Sequence, residues 1–138
     1  MHYTKEITVR GSEEKVFDAI NCSLSLWWGK TSNPVLKVGN EFKTSFGKAY
    51  WKFRVTEYKP YKRIVWECID GQPEFEHEWV GTTIRWDIKS QGDGTLLSFT
   101  HVGLTPDFDC YNVCAPTWDH FLANSLTQFV ETGKGLPH

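Results

Sequence analysis

The groups in this chain able to hold a proton, a metal or a ligand fall into four sets. His101 shares one face of a strand pattern with Leu97 and Phe99. An imidazole turned inward there would titrate near neutrality and could bind or move a proton. The plainer reading is a core histidine hydrogen-bonded to a carbonyl or to Ser125, and no Asp or Glu adjoins it in sequence to orient it. Glu74, Glu76 and Glu78 alternate with Phe75, His77 and Trp79 at strand period. If that strand runs straight on, Glu76 and Glu78 point inward, with their pKa raised by desolvation. If Gly81 breaks it, parity flips: Trp79 goes in and the acids stay in water. The cost of unpaired buried charge favours the break. Glu67 sits on a strand otherwise apolar on both faces and reads as a solvated or salt-bridged edge.

Cys110-x3-Cys114, with His101 and His120 near in sequence, invites a metal reading. Structural zinc wants tighter paired ligands, and a second cysteine pair is missing, so no metal site is expected. Ser125 interrupts an apolar helix face; it either bonds its own helix carbonyl or offers a ligand a polar handle. No catalytic pair is set by spacing, so no catalytic residue is assigned and no cofactor is implied. Phosphate-loop, nucleophile-elbow and HExxH patterns are all missing.

These groups are positioned by elements that can be read directly. His2–Arg10 alternates as a first strand. Ser12 is a helix N-cap, with Glu13 and Glu14 in the first turn and Val16, Phe17 and Ile20 on the buried side. Ser23 or Ser25 can cap a second short helical turn through Leu26-Trp27-Trp28, stopped by Gly29. Thr31–Asn40, with Asn33-Pro34 and Gly39-Asn40, is turn chemistry. Strands follow at Glu41–Phe46, Ala49–Tyr58, Arg63–Ile69 and within Glu74–Lys89. Gln91-Gly92-Asp93-Gly94 is a hairpin signal joining Thr82–Lys89 to Thr95–Leu104. Trp118, Phe121, Leu122, Ser125, Leu126, Phe129 and Val130 form one stripe of a final helix ending at Gly133. Pro116 is welcome only in a first turn, so that helix is expected to start there, with Pro106–Ala115 as a loop or lid. One kinked helix from about Asp109 is the alternative.

At 138 residues, with 40% hydrophobic and 23% charged content, the chain reads as one domain, residues 1–138, burying roughly 68% of its unfolded surface. A net charge of −2 without basic runs argues against a nucleic-acid partner. No apolar stretch suits membrane insertion or a signal peptide, so a cytoplasmic protein with reduced cysteines is expected. Seven Trp and nine Phe suit either a ring-heavy core or a ring-lined cavity. The element order predicts an α+β fold: a curved antiparallel sheet of about six strands, its edge closed by the first, wrapped around the long C-terminal helix. Two short helices follow the first strand.

Three segments also carry a family resemblance. They are Trp27-Trp28, the hairpin from Thr82-Thr83-Ile84-Arg85-Trp86 to His101-Val102-Gly103-Leu104, and the final helix from Trp118-Asp119-His120-Phe121-Leu122 to Glu131-Thr132-Gly133. Together they resemble the single-domain proteins related to the activator of heat-shock protein 90 ATPase, within the SRPBCC (START and birch-pollen-allergen-like) superfamily. The resemblance implies a helix-grip fold around a cavity, and raises a chaperone partner as one possibility. The superfamily also holds lipid binders, cyclases and hydrolases.

The function expected is therefore the binding of a small hydrophobic or amphipathic ligand between sheet and helix. The expected lining comprises Trp28, Trp51, Phe53, Trp66 and Trp86, then Phe99 with His101 as polar contact. The helix adds Trp118, Phe121, Leu122, Ser125 and Phe129. The alternatives are a co-chaperone-like module and a cyclase or hydrolase pairing His101 with an inward carboxylate. Oligomeric state is left open.

Overall fold

A computed structural model describes residues 2–32, 37–72, 78–109 and 111–137. Seven strands form one antiparallel sheet: β1 (His2–Val9), β2 (Lys30–Thr31), β3 (Glu41–Phe46), β4 (Ala49–Lys59), β5 (Arg63–Gln72), β6 (Thr83–Gln91) and β7 (Gly94–Val102). Their spatial order is β1-β7-β6-β5-β4-β3-β2, so β1 closes one edge against β7. The expected count of about six misses β2, whose two residues pair with Thr44 and Ser45. A pair that short leaves no periodicity to read.

Along β4 to β7 burial alternates at period two, placing Trp51, Phe53, Val55, Ile64, Trp66, Cys68, Ile84, Trp86, Leu97, Phe99 and His101 on the inner face. Register shifts between Lys52 and Phe53 and between Val55 and Glu57 mark bulges in the β4–β5 pairing. Bulges bend a sheet, and this one curves into a half-barrel.

Helix α1 (Glu13–Asn21) starts as expected: the Ser12 hydroxyl accepts the Lys15 N–H at 3.1 Å. Helix α2 (Leu24–Trp27) lacks the expected cap. Ser23 makes no capping hydrogen bond, and Ser25 Oγ instead accepts the Thr31 N–H at 2.9 Å.

The terminal helix departs from expectation at its start. It begins at Tyr111, as α3 (Tyr111–His120), passes through a π-helical segment (Phe121–Leu126) and ends as α4 (Thr127–Thr132). Pro116 lies inside α3, so the Asn112 carbonyl has no backbone donor four residues on. The turn is still worth forming because it buries Cys114 and Trp118. One residue further, the Thr117 hydroxyl bonds the Val113 carbonyl at 2.6 Å. Residues 111–115, expected as a loop, are thus helical. Gly133, at φ 86°, closes the helix where the sequence placed its end.

Candidate functional site: a ring-walled cavity under the last helix

The inner face does not keep open space along its whole length. Trp27, Trp28, Trp66, Trp86, Phe42, Phe53 and Phe99 are all under 2% exposed or nearly so, and interlock. Trp66 meets Trp86 edge-on at 5.4 Å, and Trp86 meets Phe99 edge-on at 4.7 Å. Five indoles also stack in sequence. Trp51 lies on Trp79 at 4.0 Å, Trp79 on Trp118 at 5.7 Å, Trp118 on Trp28 at 5.3 Å, and Trp28 on Trp66 at 6.0 Å. Each contact adds something beyond plain burial.

The packing stops at the β3–β4 end. A cavity of about 230 Å³ remains there, bordered by Trp28, by Phe46, Ala49 and Trp51 of the β3–β4 hairpin, by Trp79, and by Val113, Cys114, Thr117, Trp118 and Phe121 of the last helix. It opens beside Val113, which is 58% exposed. Among the described residues no Asp, Glu, Lys or Arg borders it.

Of the residues expected to line a ligand site, Trp28, Trp51, Trp118 and Phe121 border this cavity. Phe53, Trp66, Trp86, Phe99 and Leu122 are packed into the core instead, and Phe129 is half-buried further along the helix. Ser125 is buried and spends its hydroxyl on the backbone. It donates to the Trp27 carbonyl and accepts the Leu136 N–H at 2.7 Å, holding the C-terminal tail against the helix.

His101 lies one layer behind the wall, fully buried. The Trp118 indole N–H donates to Nδ1 at 3.2 Å, so Nδ1 carries no proton and Nε2 does. Nε2–H then donates to Thr82 Oγ1 at 2.8 Å, and that hydroxyl donates to the Trp79 carbonyl at 2.6 Å. Burial pushes the imidazole pKa down to about 3. Among the described residues no carboxylate hydrogen-bonds to it, and both ring nitrogens are engaged. The relay fixes two wall residues, Trp118 and Trp79, in place.

Gly81 takes φ 91° and ends a short turn at 78–80, after which β6 begins. Trp79 accordingly goes inward, 3% exposed. Glu78 stays half-buried and accepts the Asp109 N–H at 3.1 Å. Glu74, Glu76 and Cys110 lie outside the described residues. Glu67 faces Arg54 at 4.0 Å, both half-exposed. Among the described residues no group of three or more His, Cys, Asp or Glu could hold a metal ion. Burial pushes the Cys68 thiol up to about 12. Among the described residues no helix is long and apolar enough to cross a membrane.

Sequence reasoning missed Phe46, Ala49, Val113, Cys114 and Thr117 as wall residues and offered Trp79 only as one of two parities. The signal for the helix set was present: 113, 114, 117, 118 and 121 share one face once the helix starts at Tyr111.

A sequence model of the family described as Activator of Hsp90 ATPase homolog 1-like protein matches residues 10–131. Among solved structures, that of the Aha1 dimer from Colwellia psychrerythraea has a TM-score of 0.84 at 29% identity, covering 98% of this chain and 99% of that one. Protein MLL2253 from Mesorhizobium loti gives 0.79 at 17% identity, covering 94% and 96%. DynU16, a putative protein in the dynemicin biosynthetic locus, gives 0.74 at 17%, covering 97% of this chain and 48% of that one. At such identities the last two show a common fold alone. No curated protein matches the chain.

Proposed function

Because this chain belongs to the Activator of Hsp90 ATPase homolog 1-like family, whose name does not say what an individual member holds, we propose from its cavity that it binds a small apolar ligand. The carrying observation is a 230 Å³ space walled by six aromatic side chains beside a core of interlocked rings. Rings packed this closely elsewhere would be expected to close such a space if stability were the only demand on them, since voids forfeit contact energy. Burying a ring-sized guest gains roughly 25 cal/mol per Å² of apolar area, before association entropy is subtracted. Micromolar binding needs no charge pair on that scale.

Titration of apolar compounds of graded size, followed by intrinsic tryptophan fluorescence, tests the proposal. At least one should give a saturable change, because four of the wall residues are indoles. Silence across alkanes, aromatics and acyl chains would end it.

A second reading, activation of a chaperone ATPase, is supported by the family match and by apolar side chains at the surface. Val113 borders the cavity mouth. Leu136, 44% exposed, borders a neighbouring groove that shares Thr117 and Phe121 with the cavity. Stimulation of a chaperone's ATPase rate, lost on Val113→Asp with Leu136→Asp, would support it; no stimulation by the unaltered chain removes it.

The cyclase or hydrolase alternative finds less support. Its base would be His101, whose two nitrogens are committed to Trp118 and Thr82.

A further inference from the structure

We infer that the cavity takes a compact, rigid, uncharged guest about the size of a fused two-ring aromatic, and neither a long acyl chain nor an anion. This deepens the ligand-binding proposal and rests on it.

Size comes first. A volume of about 230 Å³ lies between the roughly 150 Å³ that admits one benzene and the roughly 300 Å³ where drug-sized sites begin. Behind Trp28 of the wall, Trp66, Phe53 and Trp86 are buried and in ring contact with it or with one another, which closes the deep side. A sixteen-carbon chain would leave most of its length in water.

Shape comes second. The wall indoles are stacked nearly parallel, with 20° between Trp51 and Trp79, 17° between Trp79 and Trp118, and 24° between Trp118 and Trp28. The relay through His101 and Thr82 anchors Trp118 and the Trp79 backbone, so the wall is set before a guest arrives. A rigid ring system fills such a pre-set space at little conformational cost, whereas a flexible chain must give up rotamer freedom to do so.

Charge comes third. With no Asp, Glu, Lys or Arg among the described wall residues, an ionised guest would lose its hydration without gaining a charged partner from them.

The test titrates the full chain with coumarin, naphthalene, 2-naphthoate and palmitate by calorimetry, with the indole N–H resonances followed by NMR. Coumarin should saturate one site and shift the Trp79 N–H signal. Naphthalene should bind comparably, 2-naphthoate at least tenfold more weakly, and palmitate not at all. Val113→Trp, at an exposed helix position on the mouth, should weaken coumarin at least tenfold with an unchanged melting temperature. Palmitate or 2-naphthoate binding as tightly as coumarin, and weakened by the same variant, would overturn the ligand class while leaving the cavity a ligand site. Absence of binding by all four, in a chain shown to be folded, would overturn both.

Discussion

The Trp118 indole N–H donates to Nδ1 of His101 at 3.2 Å, a bond between the terminal helix and β7 that is closed off from water. Its direction settles the tautomer, and the tautomer sets the direction of the next two bonds, through Thr82 to the Trp79 carbonyl. One imidazole thus ties together a helix, a strand and a turn. Trp118 and Trp79 are stacked on each other and face the cavity. His101 therefore reads as a positioning residue for that wall.

Protonating His101 would need a proton on Nδ1 and so break the Trp118 bond. The folded-state value is about 3, depressed by burial, against 6.5 in the unfolded chain. Below pH 6.5 the unfolded state takes up a proton that the folded state refuses, so stability falls as pH drops, down to about 3. Between pH 7 and 5 the loss should be about 2 kcal/mol. The acids held low by hydrogen bonds or ion pairs, among them Glu41 and Glu13, lose their contribution only below about 4.5. The window from 5 to 6.5 thus isolates the imidazole among groups with resolved shifts. Urea midpoints across that window should slope for the natural chain and flatten for His101→Gln. Equal slopes would dismiss the assignment.

Thr82 is both acceptor and donor in the relay. Thr82→Val keeps the shape and leaves the His101 Nε2–H unpaired inside the core, a cost of about 1–3 kcal/mol. Thr82→Ser retains the hydroxyl and should recover most of that loss. Denaturant melts of the two variants measure the difference, which vanishes if the hydroxyl is idle.

The fold was legible because its elements obey short-range rules. Inner-face alternation along Leu97, Phe99 and His101, the Gln91–Gly94 turn and the Ser12 cap each depend on a few neighbouring residues. The cavity was less legible because it depends on where packing fails. Phe53, Trp66 and Trp86 have the same composition and periodicity as Trp51, yet they pack solid while Trp51 borders space. Nothing local to those strands encodes that difference. It arises from the β3–β4 end of the sheet meeting the first turns of α3, two segments more than sixty residues apart. Pro116 then concealed the helix half of the wall. Local propensity ends a helix there, and the tertiary burial of Cys114 and Trp118 overrides it.

Thiol reactivity follows the same geometry. With its pKa pushed up to about 12 by burial, Cys68 should stay unmodified by a maleimide at pH 8, where thiolate is the reactive form. Peptide mapping by mass spectrometry reads this residue by residue. Rapid labelling of Cys68 in the folded chain would contradict its placement.

Ser125 holds the C-terminal tail against the last helix. Ser125→Ala would leave both the Trp27 carbonyl and the Leu136 N–H without their partner. The expected loss is about 2 kcal/mol. Hydrogen exchange at Leu136 should also accelerate, because its amide is then free to reach water. Unchanged protection there would mean the tail is held by Gln128 and Thr132 contacts to Lys134 alone.

Tyr61 offers a test in which glycine should beat alanine. It occupies the third position of the Lys59–Lys62 turn, closed by a 2.9 Å bond from the Lys62 N–H to the Lys59 carbonyl, with φ at 64°. A side chain at positive φ costs roughly 1–2 kcal/mol. The Tyr61 ring offsets part of that by meeting Phe17 edge-on at 5.3 Å. Tyr61→Ala keeps the strain and loses the ring contact, so it should destabilise. Tyr61→Gly loses the same contact but relieves the strain, and should be about 1 kcal/mol more stable than the alanine variant. Elsewhere glycine is usually the less stable of the two, because it has more freedom to lose on folding. Parallel urea melts of both variants decide it: alanine equal to or above glycine would mean the turn is not strained at this position.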